Sequence, residues 1–201
     1  MDFFIGDMHF SHTNTLAYDK RPFLTTEAND EALIERWNEV VNVTDHTYIM
    51  GDISYANVTK TIDFLSQLNG DKTLIIGNHD AKFLKNRDFR NMFREICYYK
   101  EVDIDTSRKL VLCHYPIIAF NGQFRGAVHL YAHVHNSPQF AIVENARRVT
   151  EKERGKGSCR MYNTGAMLDY MDFTPRTLEE ILEACEGEGC ETILERNVRQ
   201  I

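Results

Sequence analysis

Cysteine is present in this sequence but does nothing to organise it. Cys97, Cys113, Cys159, Cys185 and Cys190 are odd in number, scattered, and contain no C-x-x-C pair. That excludes a disulfide framework and a cysteine-rich zinc site. Each reads as a reduced thiol, mostly buried, and a local Cys185–Cys190 pair is disfavoured. No run is apolar enough to cross a bilayer, so no membrane partner is expected. The opening Met1-Asp-Phe-Phe-Ile-Gly-Asp7 lacks the basic and long apolar regions of a signal peptide, which makes the cytoplasm the expected location. A surplus of basic residues is also missing. The formal net charge is −7, which argues against passive electrostatic capture of nucleic acid. Acids that hold divalent ions would make the effective surface less acidic than this count.

What is there is an ordinary globular composition, 43% hydrophobic and 26% charged over 201 residues. It is enough for one domain with a substantial core, taken as residues 1–201. No repeat or long linker divides it. Short apolar runs alternate with helical patterns. Phe3–Ile5, Thr47–Met50 and Lys72–Ile76 read as strands. Residues 26–42 and 58–68 carry apolar residues at helical spacing. Strand, helix, strand, helix, strand is an α/β pattern with parallel strands. Further strands are expected at 98–104, 109–113, 128–132 and 159–162. Thr177 to Glu180 matches a capping box opening a last helix. Residues 138–157 allow a helix and read as an insertion over the site or a surface element. Residues 186–201 read as a peripheral tail.

Polar side chains gather where these strands stop. Asp7 and His9 follow the first strand, two apart, so in extended chain both point one way. Asp52 follows the second, and Gly77-Asn78-His79-Asp80 the third. His114 stands at the end of a later strand, and His133 and His135 follow another. In parallel α/β sheets active sites lie beyond the carboxyl ends of strands. Asp7, His9, Asp52, Asn78, His114, His133 and His135 form an inventory of carboxylates, an amide and imidazoles suited to two divalent cations. Such ions sit ~3.5–4 Å apart, share a carboxylate and turn a bridging water into hydroxide near neutral pH. Mixed nitrogen and oxygen donors suit Mn, Fe, Zn, Co or Ni. His79 can bind a metal or move a proton.

This series resembles the calcineurin-like metallophosphoesterase superfamily. The match in order and interval runs from residue 1 to about 135. Asp7 to His12, Arg21-Pro-Phe23, His129 to His133 and Asn163-Thr-Gly165 resemble more narrowly a group of small bacterial and phage phosphoesterases. The resemblance implies a two-sheet β-sandwich flanked by helices, in four layers. It implies that Asp7, His9 and His135 hold one metal, that Asn78, His114 and His133 hold the other, and that Asp52 bridges them. It implies that His79 contacts phosphate and donates the proton, with Asp80 holding its ring. His12, Arg21 and Arg125 are candidate phosphate contacts. Two positions depart from the pattern. Ala132 stands where a glycine is usual, and Ile53-Ser54-Tyr55 lacks the second acid and arginine of the protein phosphatases.

The expected function is therefore metal-dependent hydrolysis of a phosphate ester, most plainly a phosphodiesterase or phosphohydrolase of small or nucleotide-like substrates. A nuclease is the alternative within enzymes. From another class, a non-catalytic metal-binding scaffold for protein partners is weighed against it. The presence of every expected ligand and of His79 favours the enzyme. Nothing in the pattern bears on oligomeric state.

Overall fold

The computed structural model describes residues 1–106 and 108–187. The tail from 188 onward, and with it Cys190, lies outside the described residues. Strands β1 (Asp2–Ile5), β2 (His46–Ile49), β3 (Asp71–Ile75) and β4 (Glu95–Cys97) pair in parallel, and β9 (Arg176–Thr177) adds antiparallel to β1, giving the order β4-β3-β2-β1-β9. The second sheet has the order β5-β6-β7-β8. There β5 (Tyr99–Asp103) is antiparallel to β6 (Lys109–Cys113), and β7 (Val128–Tyr131) and β8 (Arg160–Asn163) continue parallel. Two mixed sheets with flanking helices make the α/β sandwich.

The helices form where apolar spacing and capping agree. α2 (Thr26–Val40) opens on Thr25, whose side chain accepts from the Ala28 amide, and buries Leu33 and Trp37. α3 (Val58–Gln67) opens on Asn57 and buries Thr61, Phe64 and Leu65. α6 (Leu178–Glu186) carries the expected capping box between Thr177 and Glu180, and packs on β1 and β9. Among the described residues, two short helices, α1 (Thr13–Tyr18) and α4 (Arg87–Asn91), complete the set with α5 (Pro138–Arg154).

α5 fills most of residues 138–157, where the pattern allowed a helix. It is the crossover joining β7 to its parallel neighbour β8, and it buries Phe140, Val143, Glu144 and Arg147. A parallel pair needs such a connection, so this helix is part of the sheet's construction and not an addition to it.

The sheets meet at their carboxyl ends. The Gly6 amide donates to the Thr164 carbonyl at 2.8 Å, and the Ala166 amide to the Gly6 carbonyl at 2.9 Å. A Cβ on residue 6 would lie 2.6 Å from the Cβ of Ala132. The alanine that replaces the usual glycine is thus accommodated because residue 6 has no side chain. One apolar cluster, with Ile5, Trp37, Ile49, Leu65, Leu112, Leu130 and Met161 fully enclosed, runs beneath both sheets.

Candidate metal centre and active site

The seven candidate ligands all lie where parallel strands stop. Asp7 and His9 follow β1, Asp52 follows β2, Asn78 follows β3, His114 follows β6, and His133 and His135 follow β7. Their backbone is not extended, as the sequence pattern had suggested for Asp7 and His9. Asp7 (φ 51°), His9 (51°), Asp52 (54°), His133 (73°) and His135 (49°) take left-handed conformations. Non-glycine residues avoid this region at a cost of order 1–3 kcal/mol each, and where it persists the surroundings impose it.

Two groups result. Asp7, His9 and His135 bring ligand atoms within 4.8 Å of one another, and so do Asp52, His114 and His133. Asn78 joins the second group, its Oδ1 3.2 Å from His114 Nε2. Asp52 Oδ2 lies between them, 3.8 Å from His9 Nε2 and 3.6 Å from His114 Nε2.

The donor chemistry fits cations. Asp7 Oδ1 is buried without a hydrogen-bond partner, while Oδ2 accepts from the His133 amide at 2.9 Å. A buried carboxylate oxygen left alone is costly unless something positive meets it. His9 Nε2 and His135 Nε2 face each other at 3.2 Å. Burial pulls the His9 imidazole well below its usual range, helped by His135 and Arg21, so it stands neutral as a ligand must. Burial raises the Asp52 carboxyl to about 6; His114 opposes the shift and Asp7 adds to it. Burial would lower His135, but the charges of Asp7 and Asp19 outweigh it and raise the ring to about 9.

His79 lies half-buried at the open side. Its amide donates to Asp52 Oδ1 at 2.9 Å, and its Nε2 stands 4.0 Å from Asp52 Oδ2. Asp80 does not hold this ring. Its carboxylate is fully buried and accepts from the amides of Asp52 (2.9 Å), Gly77 (2.8 Å) and Ile53 (3.0 Å). It pins the end of β2 to the end of β3. Gly77 makes that approach possible, since a Cβ there would lie 2.6 Å from the Asp52 nitrogen.

Of the three residues expected at phosphate, only His12 belongs to the site. Its Nδ1 is 3.3 Å from His9 Nδ1 and its ring stacks on Tyr55. Arg21 is buried behind the site. Its guanidinium donates to the carbonyls of Asp7 (2.9 Å) and Met8 (2.8 Å), to Asn29 Oδ1 and to Asp19 Oδ2. Its donors are spent inside the fold, on the loop that carries Asp7 and on Asn29 and Asp19. Arg125 is exposed just before β7, at the opposite end of that strand from His133, and donates to Asn121 Oδ1.

Two contributors escaped the sequence reading. Asp19 Oδ1 lies 2.9 Å from His135 Nδ1, fixing that ring as carboxylates behind metal-binding histidines do. Asn163, at the end of β8, donates to the His135 carbonyl at 3.2 Å. Spacing could not signal Asp19, which stands 116 residues from its partner. A cleft of about 490 Å³ opens beside His133 and His135, between Tyr18–Lys20 and residues 136–139.

Residues 3–153 match the family model described as calcineurin-like phosphoesterase. The chain belongs to that family. An uncharacterised protein of Methanocaldococcus jannaschii is 31% identical over 149 residues, 73% of this chain and 77% of that protein. The gene 66 protein of Mycobacterium phage D29 is 27% identical over 172 residues, covering 73% of this chain and 84% of its own. A crystal structure of a protein of unknown function from Aquifex aeolicus shares the fold, with a TM-score of 0.58 at 20% identity over 90% of this chain and 97% of that one. As a calcineurin-like phosphoesterase the chain is a metal-dependent hydrolase of phosphate esters, with two candidate metal groups. No helix among the described residues is long and apolar enough to cross a membrane.

Proposed function

We propose that this calcineurin-like phosphoesterase cleaves phosphodiesters at a centre of two divalent cations. The observation that carries the proposal is the position of Asp52 Oδ2, within 4 Å of a ring nitrogen from each donor group. Asp7, His9 and His135 would hold one ion; Asn78, His114 and His133 the other; Asp52 both. When bound, the ions supply charge neutralisation at the phosphoryl group and lower the pKa of water. His79 is the proton donor to the leaving oxygen. Its ring is half-exposed on the side a substrate would approach, and its backbone is tied to Asp52. Asp80 and Arg21 act as positioning residues, the first for the Asp52 and Gly77 backbone and the second for the loop of Asp7. The cleft beside His135 favours a diester, because it gives the second ester substituent a place that a monoester does not need. Manganese, iron, zinc, cobalt and nickel all suit these donors. The free Cys97, Cys113 and Cys159 thiols support a reducing, cytoplasmic compartment.

Elemental analysis and turnover of bis-p-nitrophenyl phosphate test the assignment together. Loaded protein should carry two ions per chain, and Asp52→Ala should lose both ions and turnover. A variant that keeps two ions would remove Asp52 from the bridging position.

A further inference from the structure

Three tyrosines stand half open around the histidine cluster. Tyr18, Tyr55 and Tyr115 are 53%, 52% and 44% exposed. Single exposed aromatics are ordinary, but these three share one place and pack on different parts of the site. Tyr55 lies flat on His12, centroids 4.0 Å apart and planes 7° apart, and meets His79 edge-on at 5.6 Å. Tyr115 meets His133 at 4.6 Å and His114 at 5.0 Å. Tyr18 meets His135 at 5.7 Å and His12 at 6.0 Å, and lines the cleft. Two cations accompany them. Lys82 Nζ lies 4.8 Å from the centre of the Tyr55 ring, and Lys20 lines the cleft beside Tyr18.

Resting on the phosphodiesterase reading, we propose that the substrate is a single-stranded oligonucleotide whose bases, on either side of the scissile phosphate, stack on this tyrosine rim. Stacking on aromatic side chains holds single strands without regard to sequence, because every base has a π-face. A peptide carries no ring on each neighbour of its phosphate; a nucleic acid strand carries one on every residue. The cleft of about 490 Å³ falls in the range that takes a nucleotide-sized group. Lys82, beside Tyr55, is placed for a phosphate next to the reacting one. The formal charge of −7 argues against affinity carried by the backbone alone, which leaves a larger share to the bases.

The test compares two esters with one leaving group, the p-nitrophenyl esters of thymidine 5′-phosphate and of methyl phosphate. A stacked base contributes about 5- to 100-fold. The ratio of their kcat/KM values should therefore reach about 5 or more. It should fall toward one when the tyrosine that holds the base becomes alanine (Tyr18→Ala, Tyr55→Ala or Tyr115→Ala), and recover in the matching phenylalanine variant. A second arm measures fluorescence anisotropy of labelled ten-residue oligo(dT) with metal-loaded His79→Gln protein, in which cleavage of such alkyl diesters is slowed about 10²–10⁴-fold. Binding should weaken about 5- to 100-fold for each alanine variant that removes a base contact. An active enzyme with a ratio near one, or one that prefers a phosphotyrosine peptide to the thymidine ester, overturns base recognition and leaves the phosphoesterase intact. Failure to cleave either ester under any of the five metals overturns the phosphodiesterase reading. The anisotropy arm still decides the tyrosines, and unchanged binding in the triple alanine variant overturns their role.

Discussion

Replacing Arg21 with methionine takes a cation out of a place that water does not reach. The Arg21 and Asp19 side chains are 0% and 1% exposed and sit 3.0 Å apart. The variant strips Asp19 Oδ2 of its cation, leaving that carboxylate only His135 on Oδ1, and leaves the Asp7 and Met8 carbonyls without their donors. Removing one member of a buried ion pair costs about 3–5 kcal/mol, a large share of a total stability of about 5–15 kcal/mol. With a urea slope of about 2 kcal/mol per molar, the unfolding midpoint should drop by about 1.5–2.5 M. Asp19→Leu in the same chain should recover part of that loss, because it removes the stranded charge. Had Arg21 been a phosphate contact, the signature would be a raised KM in a protein of normal stability. A midpoint shift worth less than about 1 kcal/mol, together with a selective KM effect, would refute the reasoning.

His79→Gln should retain both ions while slowing alkyl phosphodiesters about 10²–10⁴-fold and p-nitrophenyl esters far less, measured as a leaving-group series. Equal losses across the series would remove the proton-donor role. Gly77→Ala should lower metal affinity by equilibrium dialysis with a near-native circular dichroism spectrum, because its Cβ would press on the Asp52 backbone from 2.6 Å. Lys72 gives a pH signature away from the site. Its ammonium is buried against the Leu68 and Gly70 carbonyls, and burial lowers it from 10.5 to about 8. Below pH 8 both states carry the proton. Between about 8 and 10.5 the native state has released it while the unfolded chain still binds it, so stability should climb with pH and then level. Urea melts across that window should show the climb in the parent and a flatter course in Lys72→Met.

The strands that carry the ligands were legible because each is a short apolar run cut off by a glycine or a polar cluster, as at Ile5-Gly6, Met50-Gly51 and Ile76-Gly77. The pairs α2 and α3 were legible from apolar spacing and their closing residues. What escaped was short or non-local. β9 is two residues long and exists because β1 offers it an edge. β4, Glu95–Cys97, is half-exposed and has no alternation to read. α1 has little apolar patterning, and its ring contacts come from Tyr18 reaching the histidines. Among candidate site residues, the residue types and their strand-end positions were readable, since they depend on local sequence. The duties of Asp80, Arg21 and Asp19 were not, because each is fixed by partners that only the folded chain brings near. Asp80 sits beside His79 in sequence and serves the backbone of Asp52, 28 residues away.

The two donor groups have a mechanical consequence as well as a chemical one. Each draws on both sheets: Asp7 and His9 from the first with His135 from the second, and Asp52 and Asn78 from the first with His114 and His133 from the second. An ion in either group would tie positions remote along the chain, such as His9 and His135, 126 residues apart. It would act as a reversible cross-link, closing a long loop in the way a disulfide does in secreted proteins. The thiols of Cys97, Cys113 and Cys159 make no such link. In this chain the hydrolytic centre would also be the clasp between its two sheets, opened by a chelator where a disulfide is opened by a reductant.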